Sequence, residues 1–149
     1  MNRPKVHHIA VRDVEFGVRV KIVEPCNLYG CEIGDDCFVG PFTEIQKGAR
    51  IGACTRVQSH SFICELVMVG DDCFIGRGVM FINDTFAAGG PADGRKDLRR
   101  ETVIGDRVSI GSNVTIMPVR IGDDVVIGAA RLSPGTSRQR APMWATRLA

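Results

Sequence analysis

An aliphatic or aromatic residue recurs every six positions from Ile33 through Val39, Ile45, Ile51, Val57, Ile63, Val69 and Ile75 to Phe81, without a miss. The register resumes at Ile104, Ile110 and Ile116, then at Ile121 and Ile127. A step of six does not follow one face of a 3.6-residue helix, so an amphipathic helix is excluded. It is a multiple of the strand's two-residue period, so the first and fifth residues of each step share a face. Glycine follows the aliphatic residue at 34, 40, 52, 70, 76, 105, 111, 122 and 128. A small or β-branched residue stands four places after it, as in Cys37, Thr43, Ala49, Thr55, Ser61 and Cys73. The first position is expected to fill an interior, and the fifth to accept only a small group beside it. Three short strands and their turns make a coil of about 18 residues, and coils stack in parallel at about 4.8 Å. A sandwich would need hairpin turns at wider intervals. The chain is therefore predicted to be all-β, a parallel β-helix. Its hand does not follow from these residues, because ordinary parallel crossovers are right-handed.

With 149 residues, of which 44% are hydrophobic, the chain suits one domain with a core. The repeats delimit it as residues 1–129, with 130–149 an atypical tail not native to the fold. A formal charge of +2 does not argue for a nucleic-acid partner. No apolar run is long enough to span a membrane, and MNRPKVHHIA lacks a signal-peptide apolar stretch, so a cytoplasmic location is expected. Cys26, Cys31, Cys37, Cys54, Cys64 and Cys73 show no C-x-x-C spacing and no accompanying His pair, so free buried thiols are expected. Cys31, Cys37 and Cys73 fall in the small-residue column and read as packing.

The glycine-following-aliphatic hexapeptide resembles the hexapeptide-repeat acyltransferases, whose fold is a left-handed β-helix. The likeness covers about residues 14–129. More narrowly, NLYGCEIGDDCFVGPFTEIQKGARIG, QSHSFICE, GVMFIND and SIGSNVTIMPVRIGDDVVIGA are similar to nucleotide-sugar N-acetyltransferases. The resemblance implies acetyl transfer from acetyl-CoA to an amine of a nucleotide-linked deoxysugar, by a homotrimer with acetyl-CoA between adjacent prisms. It implies no metal. A carbonic-anhydrase-like zinc enzyme on the same fold needs three converging histidines, and only His60 lies within the repeats.

The largest departure from the period lies between Phe81 and Ile104, a separation of 23 residues where one step spans six. The excess must leave the prism as a long extruded loop around residues 84–102. It carries Arg95, Lys96, Arg99 and Arg100. One reading is a solvated insertion; the other is a flap over a neighbouring site, with Arg95, Arg99 and Arg100 binding an anionic nucleotide sugar. Asn83 and Asp84 stand where the regular strand gives way to the loop. Asn83 can donate to a thioester oxygen or accept from an amine, while the alternative is an Asx turn that launches the loop. FIND matches the family's pattern before its active-site loop.

His60 should project from a turn, where an imidazole can take a proton from an attacking amine; the alternative is an ordinary surface histidine. One coil beyond residue 60 is residue 78, so His60 and Asn83 do not stack on one corner. If both serve one site, it is assembled across a subunit interface. His7 and His8 precede the repeats and read as disordered or capping. The resemblance places Ser109, Gly111 and Ala129 where backbone amides face the pantetheine arm of CoA, although small residues there also suit plain coil stacking.

After Ala129 the period stops. ARLSPGTSRQRAPMWATRLA has four Arg, no acid and the only Trp. With a free choice of synonymous codons, the segment from Arg131 back-translates, from the third base, into a string containing AVTRDVPP and TDVGNPAR, close to the family's ending. Met143 and Trp144, with one codon each, force the Val-Gly before NPAR. The expectation is a family C-terminus read in a shifted frame. Without the tail the first 129 residues carry 15 basic and 17 acidic side chains, a balance of −2. The expected function is a trimeric, acetyl-CoA-dependent N-acetyltransferase. The alternatives are a non-catalytic trimeric scaffold, inactive because of its tail, and an O-acetyltransferase.

Overall fold

The structure, a computed structural model, describes residue 5, residues 8–130 and residues 146–147. Very short strands follow one another along the chain. They are β1 (Val11–Arg12), β2 (Glu15–Phe16), β3 (Lys21–Ile22), β4 (Asn27–Tyr29), β5 (Glu32–Ile33) and β6 (Phe38–Val39). Next come β7 (Glu44–Ile45), β8 (Arg50–Ile51), β9 (Arg56–Val57), β10 (Phe62–Ile63), β11 (Val67–Val69) and β12 (Phe74–Ile75). The upper part holds β13 (Met80–Phe81), β14 (Thr102–Ile104), β15 (Ser109–Ile110), β16 (Thr115–Ile116), β17 (Arg120–Ile121) and β18 (Val125–Ile127). Every third strand joins the same sheet. The first sheet runs β1-β4-β7-β10-β13-β16, the second β2-β5-β8-β11-β14-β17, and the third β3-β6-β9-β12-β15-β18. All these neighbours are parallel, as in Phe62↔Glu44, Ile33↔Ile51 and Ile75↔Ile110. The result is a left-handed β-helix of about six coils.

The six-residue column forms the axis of the core. Leu28, Val39, Ile45, Val57, Ile63, Ile75, Phe81 and Ile110 are fully buried. Burial falls off toward the lower coil, where Phe16, which pairs with the buried Ile33, is 43% exposed. The fifth-position residues are small or β-branched, and several also donate a hydrogen bond to the coil above. Cys37 Sγ donates to Gly52 O, Thr55 Oγ1 to Gly70 O, Ser61 Oγ to Gly76 O and Cys73 Sγ to Gly105 O. Cys26 behaves alike toward Gly40 O. Serine, threonine and cysteine thus share two properties here, a small volume and a polar hydrogen, and no buried side-chain N or O among the described residues lacks a partner.

The glycine column has a sharper cause than turn relief. At the corner between the second and third sheets, Asp71 Oδ1 accepts Ala53 N, Asp106 Oδ1 accepts Asp71 N and Asp123 Oδ1 accepts Asp106 N. Each carboxylate reaches down over the glycine of the coil below to do so. A Cβ on Gly70 would meet Asp106 Oδ1 at 2.3 Å, and one on Gly105 would meet Asp123 Oδ1 at 2.3 Å. Glycine and the aspartate one coil later are a matched pair.

All six cysteines are free and five are buried as expected, but Cys54 is exposed, because it occupies a left-handed turn position, φ +57°, outside the core. Burial pushes the Cys31 and Cys64 thiols up to about 11.

The edge of the third sheet is covered by Thr146–Arg147, which pairs antiparallel with β18 through Val125↔Arg147 and Val126↔Thr146. Apart from that strand, the shifted-frame reading of the tail lies outside the described residues, as does His7.

Candidate active site

The long loop leaves the prism at the corner between the first and second sheets, between β13 and β14. Its stem is fastened to the coil below. Asn83 Nδ2 donates to Glu65 O at 3.1 Å, and the Arg99 guanidinium forms an ion pair with Glu65 Oε2 at 2.5 Å. The two sides of the stem meet where Arg100 N donates to Asn83 O at 2.9 Å and where Asp84 bridges Arg99. Asp84 folds the loop from within, Oδ1 accepting Phe86 N and Oδ2 accepting Ala92 N. Those two amides, Ala92 first, hold its carboxyl below the usual range. Asp84 therefore makes the Asx turn and is engaged at both oxygens. Asn83 keeps its carbonyl oxygen and its second amide hydrogen for another partner.

The loop's cations divide. Arg99 is half-buried against Glu65, while Arg95 and Arg100 are exposed. Arg100 turns its guanidinium onto Asp97 O at 2.8 Å, and Arg95 leads into a 3-10 turn, Lys96–Leu98.

His60 occupies the corner between the third and first sheets. It is exposed, with φ at +60°, and its N–H donates to Pro41 O at 3.0 Å. Its ring stacks on Phe42, one coil below, with centroids 4.8 Å apart. One coil above stands Gly78, which has no side chain, and above that Asn113. The imidazole thus has a phenyl floor, and on its upper side Asn113 Oδ1 reaches to 2.5 Å from where a Cβ on Gly78 would stand.

Ser109, Gly111 and Ala129 lie on the same side of the prism, above His60. Ser109 faces outward on β15 between Phe74 and Val126. Gly111 N donates to Ile127 O at 2.8 Å, so that amide is spent within the ladder. A Cβ on Gly111 would lie 2.3 Å from Ala129 N, so close stacking alone requires glycine there.

One protomer therefore gathers two groups. His60, Ser109, Gly111 and Ala129 share the third sheet and its corner with the first; Asn83, Asp84, Arg95, Arg99 and Arg100 share the loop corner. Strand β10 separates them, with His60 before it and Glu65 after it, five residues or about 16 Å of extended chain. Two neighbours escaped the sequence reading. Glu65 sits one 18-residue coil before Asn83, so the coil length itself could have found it. Phe42 stands one coil before His60 in the same left-handed turn conformation, a position that carried no chemical signal of its own.

Known proteins share both the repeat and the prism. The bacterial transferase hexapeptide model (six repeats) matches residues 30–65, and the hexapeptide repeat of succinyl-transferase matches residues 101–129. The chain is similar to the bifunctional protein GlmU of Syntrophomonas wolfei, 33% identical over 131 residues, which are 80% of this chain and 28% of that protein. It is also similar to the bifunctional protein GlmU of Nostoc sp., 34% identical over 126 residues, 83% of this chain and 25% of that protein. The chain thus spans about a quarter of the length of these curated relatives. A solved structure of a mutant perosamine N-acetyltransferase from Caulobacter crescentus, in complex with CoA and GDP-perosamine, shares the fold. Its TM-score is 0.55 at 14% identity, covering 80% of this chain and 53% of that one.

Proposed function

Because the chain belongs to the hexapeptide-repeat acyltransferase family, we propose that it transfers an acetyl group from acetyl-CoA to an amine of a nucleotide-linked amino sugar. The observation that carries this reading is the split of the site. A proton acceptor, His60, stands at one corner below a smooth small-residue strip, and an amide, Asn83, is fixed at another beside the one large loop. Neither corner alone holds both groups, and a homotrimer would bring one protomer's loop to its neighbour's His60.

In the proposed reaction the sugar's neutral amine attacks the thioester carbonyl. The oxyanion is met by the free Asn83 amide hydrogen or by a backbone N–H. The C–S bond breaks, CoA leaves as the thiolate, and the amine's proton passes to His60 or to water. Holding amine and thioester together supplies much of the acceleration through effective molarity. The acetyl-CoA arm lies along Ser109, Gly111 and Ala129. Arg95 and Arg100 face the acceptor's sugar end, whereas Arg99 acts through Glu65 to hold the stem. Asp84 positions Asn83 by shaping the turn that follows it.

The test is CoA release by the full chain with acetyl-CoA and a panel of amino-sugar nucleotides, beside matched hydroxyl analogues. Turnover restricted to an amine acceptor supports the reading. Turnover with hydroxyl acceptors alone makes the chain an O-acetyltransferase. Failure to bind CoA in a calorimetric titration makes it a scaffold.

A further inference from the structure

The outward column of the third sheet reads, coil by coil, Lys21, Phe38, Arg56, Phe74, paired as Lys21↔Phe38, Phe38↔Arg56 and Arg56↔Phe74. Cation and phenyl alternate at the coil spacing of about 4.8 Å. The lower part of this column lines a groove of about 670 Å³ that also touches Arg19 and Asp36. Arg19 and Asp36 neutralise each other through two hydrogen bonds, Nε to Oδ1 at 2.6 Å and a second nitrogen to Oδ2 at 2.5 Å. Among the described residues Lys21 and Arg56 have no carboxylate partner. Arg56 lays its guanidinium over the Phe38 ring, 5.1 Å from its centroid. In a prism of net acidic balance, the groove presents two uncompensated cations two coils apart with an aromatic face between them. That combination suits a flat base carrying phosphates.

We infer that this groove holds the nucleoside diphosphate of the acceptor, a site separate from the loop arginines and from the cofactor strip. The inference rests on the proposed function and deepens it. His60 follows Arg56 by four residues and ends the same coil, so a sugar leaving the groove across the third sheet reaches the His60 corner from below. The strip of Ser109, Gly111 and Ala129 lies above His60 on the same side. The two substrates then approach His60 from opposite ends of the prism, the acceptor from the lower coils and the thioester from the upper ones. Lys21 and Arg56 take the phosphates, and Phe38, with the guanidinium over it, supplies the stacking surface.

The test is calorimetric titration of the full chain with UDP, dTDP and GDP, and separately with CoA and 3′,5′-ADP. At least one nucleoside diphosphate should bind, and Lys21→Ala and Arg56→Ala should each raise its Kd about tenfold, with CoA affinity unchanged. Arg56→Lys, which keeps the charge but loses the planar fork, should recover part of the loss. Both positions are on the surface, so thermal melting should not move. Arg95→Ala and Arg100→Ala should leave nucleoside diphosphate affinity within about twofold. The inference is overturned if no nucleoside diphosphate binds while CoA does, or if its Kd ignores both substitutions. It is equally overturned if CoA or 3′,5′-ADP is the ligand that weakens, since the groove would then serve the cofactor. Loss of CoA binding by the unaltered chain sinks the acetyltransferase reading instead, in its own titration.

Discussion

Two corners of one prism treat their charged groups in opposite ways. At the corner between the second and third sheets, aspartates recur with the coil, and Asp35, Asp71, Asp106 and Asp123 each cap a backbone amide of the coil below. The left-handed residues beside them close into pairs such as Arg107 with Asp124. At the corner between the first and second sheets the period breaks, and one coil's carboxylate, Glu65, must hold a stem rather than a neighbour of its own kind. The same solenoid stores stability in its regular corner and leaves an amide with spare hydrogen-bonding capacity at its irregular one.

If that division is right, damage to the two corners should separate activity from stability. Asn83→Ala should lower turnover on the order of 100-fold while costing only its one stem hydrogen bond, about 1 kcal/mol, and steady-state kinetics beside calorimetric melting would show it. Gly70→Ala should do the reverse. Its Cβ would press on Asp106 Oδ1, and crowding of that kind costs about 1–3 kcal/mol, read from chemical denaturation. Asp106→Ala should cost about 1 kcal/mol by uncapping the Asp71 amide, again without touching turnover. The smallest change fills a gap. Ala53 is the member of the cap column that cannot accept Asp35 N, and Gly34 beneath it leaves the space. Ala53→Asp should add roughly 0.5 kcal/mol; a loss instead would show that repulsion from neighbouring aspartates outweighs the new bond.

Alkaline titration sharpens the comparison from the core side. Cys31 and Cys64 are held near 11 by burial, above the ordinary thiol value. The unfolded chain therefore releases those protons first as pH rises. Stability should be complete below about pH 9 and fall through the window up to about pH 11, and Cys31→Ser with Cys64→Ser should flatten that fall.

The fold was largely legible because a period of six admits few solutions. Ile33, Ile45, Ile63, Ile75 and Phe81 are buried where the spacing put them. The reasons behind the other columns were less visible. Glycine read as turn relief, yet at Gly52, Gly70 and Gly105 a carboxylate of the next coil, from Asp71, Asp106 or Asp123, occupies the space where the Cβ would be. Cysteine, serine and threonine read as small, yet their donors tie coil to coil. Coil arithmetic did place His60 and Asn83 on different corners. It could not show that Arg99 is committed to Glu65, because the path of the loop back onto the prism carries no period.

The most direct test of a site divided between two corners uses two defective chains at once. His60→Ala and Asn83→Ala should each be impaired alone. Co-expressed, mixed trimers should contain interfaces with one intact His60 facing one intact Asn83, and random assembly restores about a quarter of the sites. Recovery of CoA release toward that level is the expected result. Activity no higher than the mean of the two parents, in trimers shown to be mixed, would contradict the account.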